Sequence, residues 1–211
     1  QPLAPSSVRV AQFPEMPEEL SEEEIKKIVA AFGEGARRAK KWGFDGVQIH
    51  GAHGYLVNQF LSPLTNRRTD QYGGSLENRS RFLFEVYSSI RQAVGPDYPV
   101  MIKLNAADNI EGGFEVSDAL VVAQRLSESG IDAMEISTGT PASGDETPAR
   151  TKINSPEKEA YHLNMAGKIK ESVQCPVMVV GGIRSYEVVE KVIQEKGIDY
   201  VSMARPVIRE P

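Results

Sequence analysis

Two histidines and a tyrosine stand close together in the run Phe44-Asp-Gly-Val-Gln-Ile-His50-Gly-Ala-His53-Gly-Tyr55. The stretch over 44–50 is apolar and rich in branched residues, which reads as a buried strand. Strand positions three apart face opposite ways, so His50 and His53 converge only where the chain turns between them. Gly51 and Gly54 supply the freedom for that turn. Each neutral imidazole carries one N–H, so two imidazoles and a phenol at a strand end can hold an oxygen anion and deliver a proton. Tyr55 suits the acid role where the developing carbanion is strongly basic. Two plainer readings compete with this one: a structural histidine bonded to backbone, and a metal site. A metal needs further ligands and a carboxylate that the spacing does not place, so none is expected.

A second constellation joins Val179-Val180-Gly181-Gly182-Ile183, with a helix opening near Ser185, to Met203-Ala204-Arg205. Backbone N–H groups at a strand–glycine–helix junction bind phosphate, and a guanidinium at the next strand end can clamp it from the other side. The competing reading is a simple turn, with Arg205 pairing a surface carboxylate. Lys103 lies in Met101-Ile-Lys-Leu-Asn105, an otherwise apolar strand. A buried lysine requires an acidic neighbour or an anionic ligand. Its candidate roles are electrostatic partner of an anionic cofactor, Schiff-base nucleophile of a phosphate-binding barrel lyase or aldolase, and structural ion pair. His162, expected within a helix, and Cys175, before a strand, read as structural.

These residues need elements to position them, and the chain alternates two periodicities. Residues 1–20 carry four prolines and no sustained period, and read as an irregular arm. Ser21 and Glu24 form a capping box, opening a helix over 21–42 that Gly43 ends. After the strand at 44–50, a turn-rich segment spans 51–74. Helices are expected over 75–94, 117–129, 155–173 and 185–196. Strands are expected over 99–104, 132–137, 176–180 and 199–203, and a loop over 138–154. This alternation implies right-handed βαβ crossovers and a parallel sheet.

A doubly wound sheet would be complete at this length, whereas a (β/α)8 barrel of about 250 residues would need three more units. The positions of the polar residues favour the barrel. His50, Lys103, Asn105, Thr138, Gly181, Gly182 and Arg205 all fall at or just past C-terminal strand ends, where barrel active sites are built. The expected fold is α/β: part of a TIM barrel with about five parallel strands, a single domain over 21–211 behind the arm.

The composition excludes whole classes. With 211 residues, 40% hydrophobic and 25% charged, the chain has enough apolar surface to fold. A net charge of −5 without a basic block argues against a nucleic-acid partner. The apolar stretch over 176–183 is far short of the roughly 20 residues of a membrane span. No basic-then-apolar leader is visible, so no secretory signal is expected, and a single cysteine fits the expected reducing cytoplasm. Cys175 is the single cysteine, so neither an internal disulfide nor a cysteine-held iron–sulfur cluster is expected within these residues. An open piece of barrel would expose two sheet edges, which makes a homo-oligomer an expectation.

Taken with Gln59-Phe-Leu-Ser-Pro63 and Asn66-Arg-Arg-Thr-Asp70-Gln-Tyr-Gly-Gly-Ser75-Leu-Glu-Asn78-Arg79, the run His50-Gly-Ala-His53-Gly-Tyr55-Leu resembles the Old Yellow Enzyme family of FMN-dependent NAD(P)H oxidoreductases. The likeness covers the chain but only strands four to eight of the family's barrel. It implies an ene-reductase reaction, in which NAD(P)H reduces FMN and the flavin passes hydride to an activated alkene such as an enone. By resemblance, His50 and His53 would bind the substrate oxygen and Tyr55 would give the proton. Lys103 would lie by the N1/O2 edge of the flavin, where the family often has Arg. Gly181, Gly182, Ala204 and Arg205 would hold the FMN phosphate. The alternative to an enzyme is a non-catalytic folded fragment.

Overall fold

The structure is a computed structural model, and it describes residues 1–10 and 15–209. The arm carries one short element that the sequence did not announce. β1 (Leu3–Ala4) pairs in parallel with β2 (Glu18–Glu19). Arg68 ties the arm down, donating from Nη1 to the Pro5 carbonyl at 2.9 Å and the Leu20 carbonyl at 2.6 Å. Asp70 holds the same guanidinium through Nη2 at 2.5 Å.

α1 (Glu22–Lys41) opens on the expected capping box, with Ser21 and Glu24 satisfying each other's backbone N–H groups. β3 (Val47–Gly51) then leads into α2 (Leu56–Leu61). α2 lies in the segment expected to be turns, because six residues are too few to display a helical period. α3 (Leu76–Val94), capped by Ser75, packs against α1, with Phe32 edge-on to Phe82 at 6.4 Å. β4 (Val100–Asn105), α4 (Val116–Glu128) and β5 (Ala133–Ser137) follow within a residue or two of expectation.

The next element departs from expectation. In place of one helix over 155–173 there is a 3-10 turn (Pro156–Lys158), then Ala160 in the left-handed region at φ 50°, then α5 (Leu163–Lys170). Tertiary bonds outweigh helix propensity here: Glu159 and His162 are both drawn inward to partners described below. β6 (Val177–Val179), α6 (Tyr186–Lys196), β7 (Tyr200–Val201) and α7 (Arg205–Arg209) complete the described chain.

β3 to β7 form one parallel sheet in consecutive order. Consecutive order belongs to barrels, because a doubly wound sheet reverses direction at a switch point. One face is apolar and covered by helices: Ile49, Ile102, Met134 and Val177 share a register row and join a core with Val86, Leu126 and Ile169. The alternation of a strand puts the row His50, Lys103, Glu135, Met178, Tyr200 on the opposite face. The candidate chemistry sits on that second face and at its C-terminal edge.

Candidate active site

The turn after β3 brings the expected residues together. His53 and Gly54 are both left-handed, at φ 63° and 75°. Two such residues in succession fold His53 back toward the strand, so its ring meets that of His50 edge-on at 5.3 Å. The Tyr55 ring lies 4.9 Å from His50. A left-handed conformation costs a non-glycine residue about 1 kcal/mol or more, so the turn must be held. Buried Asn58 holds it. Its Oδ1 accepts from the Gly54 N–H at 2.7 Å, and its Nδ2 donates to Asp108 Oδ1 at 3.2 Å. Asp108 in turn accepts from Asn105 Nδ2 at 2.9 Å and from the Phe114 N–H at 2.9 Å. A cavity of about 290 Å3 opens beside this turn, with Gly54, Asn58, Leu64, Ile110 and Ala142 in its wall.

His53 reaches inward as well. Its Nε2 lies 2.7 Å from Ser137 Oγ, which lies 3.3 Å from His162 Nε2. His162 Nδ1 lies 2.9 Å from Thr138 Oγ1. His162 stands just before α5 rather than inside a helix, and it is fully buried. Burial pushes His53 down to about 4, with Lys103 and His50 adding repulsion. Burial, then the charge of Arg150, pushes His162 down to about 3. His50 is lowered too, chiefly by burial and then by Lys103. All three imidazoles are therefore neutral at pH 7, each with one N–H to give and one lone pair to accept.

Lys103 finds the acidic neighbour that its burial required. Its Nζ is 2.8 Å from Glu135 Oε1, with side chains 20% and 9% exposed. Gln48 Nε2 donates to the other Glu135 oxygen at 3.0 Å. Glu135 was not singled out from sequence, although it is the one charge in an apolar strand and faces Lys103 across the register. Lys103→Met is expected to destabilise the fold by about 3 kcal/mol, because it leaves Glu135 buried and unpaired. Adding Glu135→Gln should recover most of that loss in urea unfolding. A single substitution as mild as Lys103→Arg would contradict this account of the pair.

The glycine turn is present, with Gly181 at φ 138° and Gly182 at 68°. A side chain on either would press on Tyr161, as close as 2.9 Å at Gly182. The strand ends of β6 and β7 adjoin, since the Ser202 N–H donates to the Val179 carbonyl at 2.8 Å. Ala204 and exposed Arg205 follow directly. The head of α6 differs from expectation: the Arg184 and Ser185 N–H groups both donate to Glu159 Oε2 at 2.9 Å. The chain's own carboxylate thus fills the helix terminus expected to face phosphate, leaving the glycine turn and Arg205. Burial alone would raise the Glu159 carboxyl, but hydrogen bonds from Ser185 and Arg184 outweigh it and hold the group low.

The family model for the NADH:flavin oxidoreductase / NADH oxidase family matches residues 3–211. An NADPH dehydrogenase of Halalkalibacterium halodurans is 40% identical over 99% of this chain and 58% of its own length. An NADH oxidase of Thermoanaerobacter brockii is 39% identical over the whole of this chain and 32% of its own. Among solved structures, a 2-naphthoyl-CoA reductase in complex with 2-naphthoyl-CoA superposes with a TM-score of 0.88 at 34% identity, over 100% of this chain and 32% of that one. The chain spans between 30% and 60% of the length of the curated relatives it matches.

Proposed function

The chain belongs to the NADH:flavin oxidoreductase / NADH oxidase family, and on that premise we propose that it is the substrate- and phosphate-binding part of an FMN-dependent NAD(P)H oxidoreductase of ene-reductase type. The observation that carries this reading is the meeting of neutral His50 and His53 with Tyr55 on the sheet face that also presents Lys103. FMN, when bound, supplies the acceptance of hydride from NAD(P)H and its delivery to an electron-poor alkene.

The residues fit that cofactor. The Gly181-Gly182 turn offers backbone without side chains just past the end of β6, and Arg205 follows the end of the adjoining β7, an arrangement that suits a phosphate. Lys103 supplies a fixed positive charge on the open face of the sheet, held by Glu135. Buried Asn105 Oδ1 has no hydrogen-bond partner among the described residues, which leaves an acceptor for a ligand N–H at the end of β4. His50 and His53 bind the oxygen of an enone or similar substrate and draw charge from its double bond. Tyr55, half exposed, gives the proton to carbon. A buried lone thiol, Cys175, is compatible with a cytoplasmic setting. β3 and β7, each with one sheet neighbour among the described residues, are the edges through which copies would associate. The Schiff-base reading is weaker, because Lys103 Nζ is committed to Glu135 whereas a nucleophile must present a free amine.

Arg205→Ala is expected to weaken FMN by about tenfold or more and riboflavin, which lacks the phosphate, very little. Equal losses would remove Arg205 from the phosphate site. The reaction itself is tested anaerobically on the FMN-loaded protein. NADPH or NADH should bleach the bound flavin and cyclohexenone should restore its colour. A flavin that stays oxidised with both nucleotides refutes the reading.

A further inference from the structure

Behind His53, buried Ser137, His162 and Thr138 and half-buried Asn109 form a hydrogen-bond chain. Asn109 Nδ2 lies 3.3 Å from the Glu146 carbonyl, which can only accept, so the amide is oriented with its N–H groups toward Glu146 and Thr138. The same Nδ2 donates to Thr138 Oγ1 at 3.2 Å. A hydroxyl that accepts there is placed to give its own proton to the neighbour on its other side, His162 Nδ1 at 2.9 Å. A neutral ring that accepts at Nδ1 carries its proton on Nε2. In that sense of the chain, His162 donates from Nε2 to Ser137 Oγ at 3.3 Å, and Ser137, with a single proton, gives it to His53 Nε2 at 2.7 Å. His53 is left with its proton on Nδ1, the nitrogen that Ser137 does not occupy.

We propose that Asn109, Thr138, His162 and Ser137 are positioning residues that preset the tautomer of His53, so that Nδ1–H is offered to the oxygen of an incoming ligand. The inference rests on the proposed role of His53 as a ligand-oxygen donor. Its physical basis is that a neutral imidazole donates from one nitrogen only, so the partner of the inner nitrogen decides what the outer one can do. Burial keeps the relay free of water: Ser137, Thr138 and His162 are 1%, 3% and 0% exposed. The Pro148 carbonyl also faces the His162 ring and already accepts from the Tyr161 hydroxyl at 3.0 Å. Were His162 to donate to that carbonyl from Nδ1, its Nε2 would accept from Ser137, the relay would run backwards and His53 Nδ1 would be a bare acceptor.

The chain has three histidines, so long-range proton–nitrogen correlation on 15N-histidine-labelled protein reads every tautomer directly. The expected spectrum has His53 protonated on Nδ1 and His162 on Nε2. Ser137→Ala should release His53 from that tautomer and lower phenol affinity about tenfold, and Ser137→Thr, which keeps the hydroxyl, should restore both. His53 protonated on Nε2 in the wild type, or unchanged in Ser137→Ala, overturns the proposal. The wild-type spectrum decides even if a variant fails to fold. The expected tautomers without phenol binding would sink the role of His53 in ligand binding and leave the relay standing. Phenol binding with reversed tautomers would do the opposite.

Discussion

Replacing His50 and His53 together by alanine is expected to weaken phenol binding to the FMN-loaded protein by about a hundredfold, while FMN affinity changes little. In the proposed role each imidazole gives one hydrogen bond to the ligand oxygen, worth about 1–1.5 kcal/mol where water is excluded, and two such bonds amount to about 30–150-fold. The upper end applies because the pair is preorganised. The left-handed turn at His53 and Gly54 is already folded and held by Asn58 and Asp108, so binding does not bear the cost of forming it. FMN is spared because Lys103 lies on β4, Gly181 and Gly182 follow β6, and Arg205 opens α7, all away from the turn after β3. Isothermal titration with phenol and with FMN separates the two effects. An unchanged phenol affinity would remove both histidines from the ligand site.

The second large effect is on stability in mild acid. His162 is fully buried and sits at about 3, against an ordinary 6.5, so the unfolded chain binds a proton that the folded chain refuses. A folded pKa below the unfolded one means that the stabilisation is complete above about pH 6.5 and is lost as pH falls below it. Between pH 6.5 and about 4.5 the loss from His162 alone is about 2 kcal/mol, a large share of a typical net stability of about 5–15 kcal/mol. His53, at about 4, adds to it in the same direction. The window also separates these groups from the carboxylates. Asp70, Glu159 and Asp199 are held low by their hydrogen-bond partners and surrender their contributions only at lower pH. Urea unfolding across this window should show stability falling in the wild type and falling less steeply in His162→Gln. Equal slopes would mean that His162 is not buried in its neutral form.

The parallel alternation was legible because short apolar runs give way to polar residues or glycines at or just past their ends, as at Asn105, Thr138 and Gly181, and long helices carry signals such as the capping box at Ser21. The meeting of His50, His53 and Tyr55 was legible because glycines flank the turn. What escaped was tertiary. Glu135 gains meaning only from its register with Lys103, and His162 only because the helix expected at 155–173 breaks to bring it under Ser137. Glu159 falls inside the helix expected over 155–173 and was not singled out, yet it accepts from the Arg184 N–H 25 residues on, at the head of α6. The motif over 66–79, which carried much of the family resemblance, has a structural part to play. Asn66 donates to the Phe60 and Tyr72 carbonyls, Arg68 clamps the arm, and Arg79 bridges the Leu61 carbonyl and Asp118. Sequence signatures of a family thus mark its scaffold as readily as its chemistry.

The central claim is that this sheet face is half of an FMN site, and titration of the 211-residue chain with FMN, followed by quenching of flavin fluorescence, tests it most directly. The account predicts saturable quenching by the protein, with riboflavin binding about tenfold or more weakly because only FMN reaches the glycine turn and Arg205. Absence of saturable binding, or equal binding of the two flavins, would contradict it.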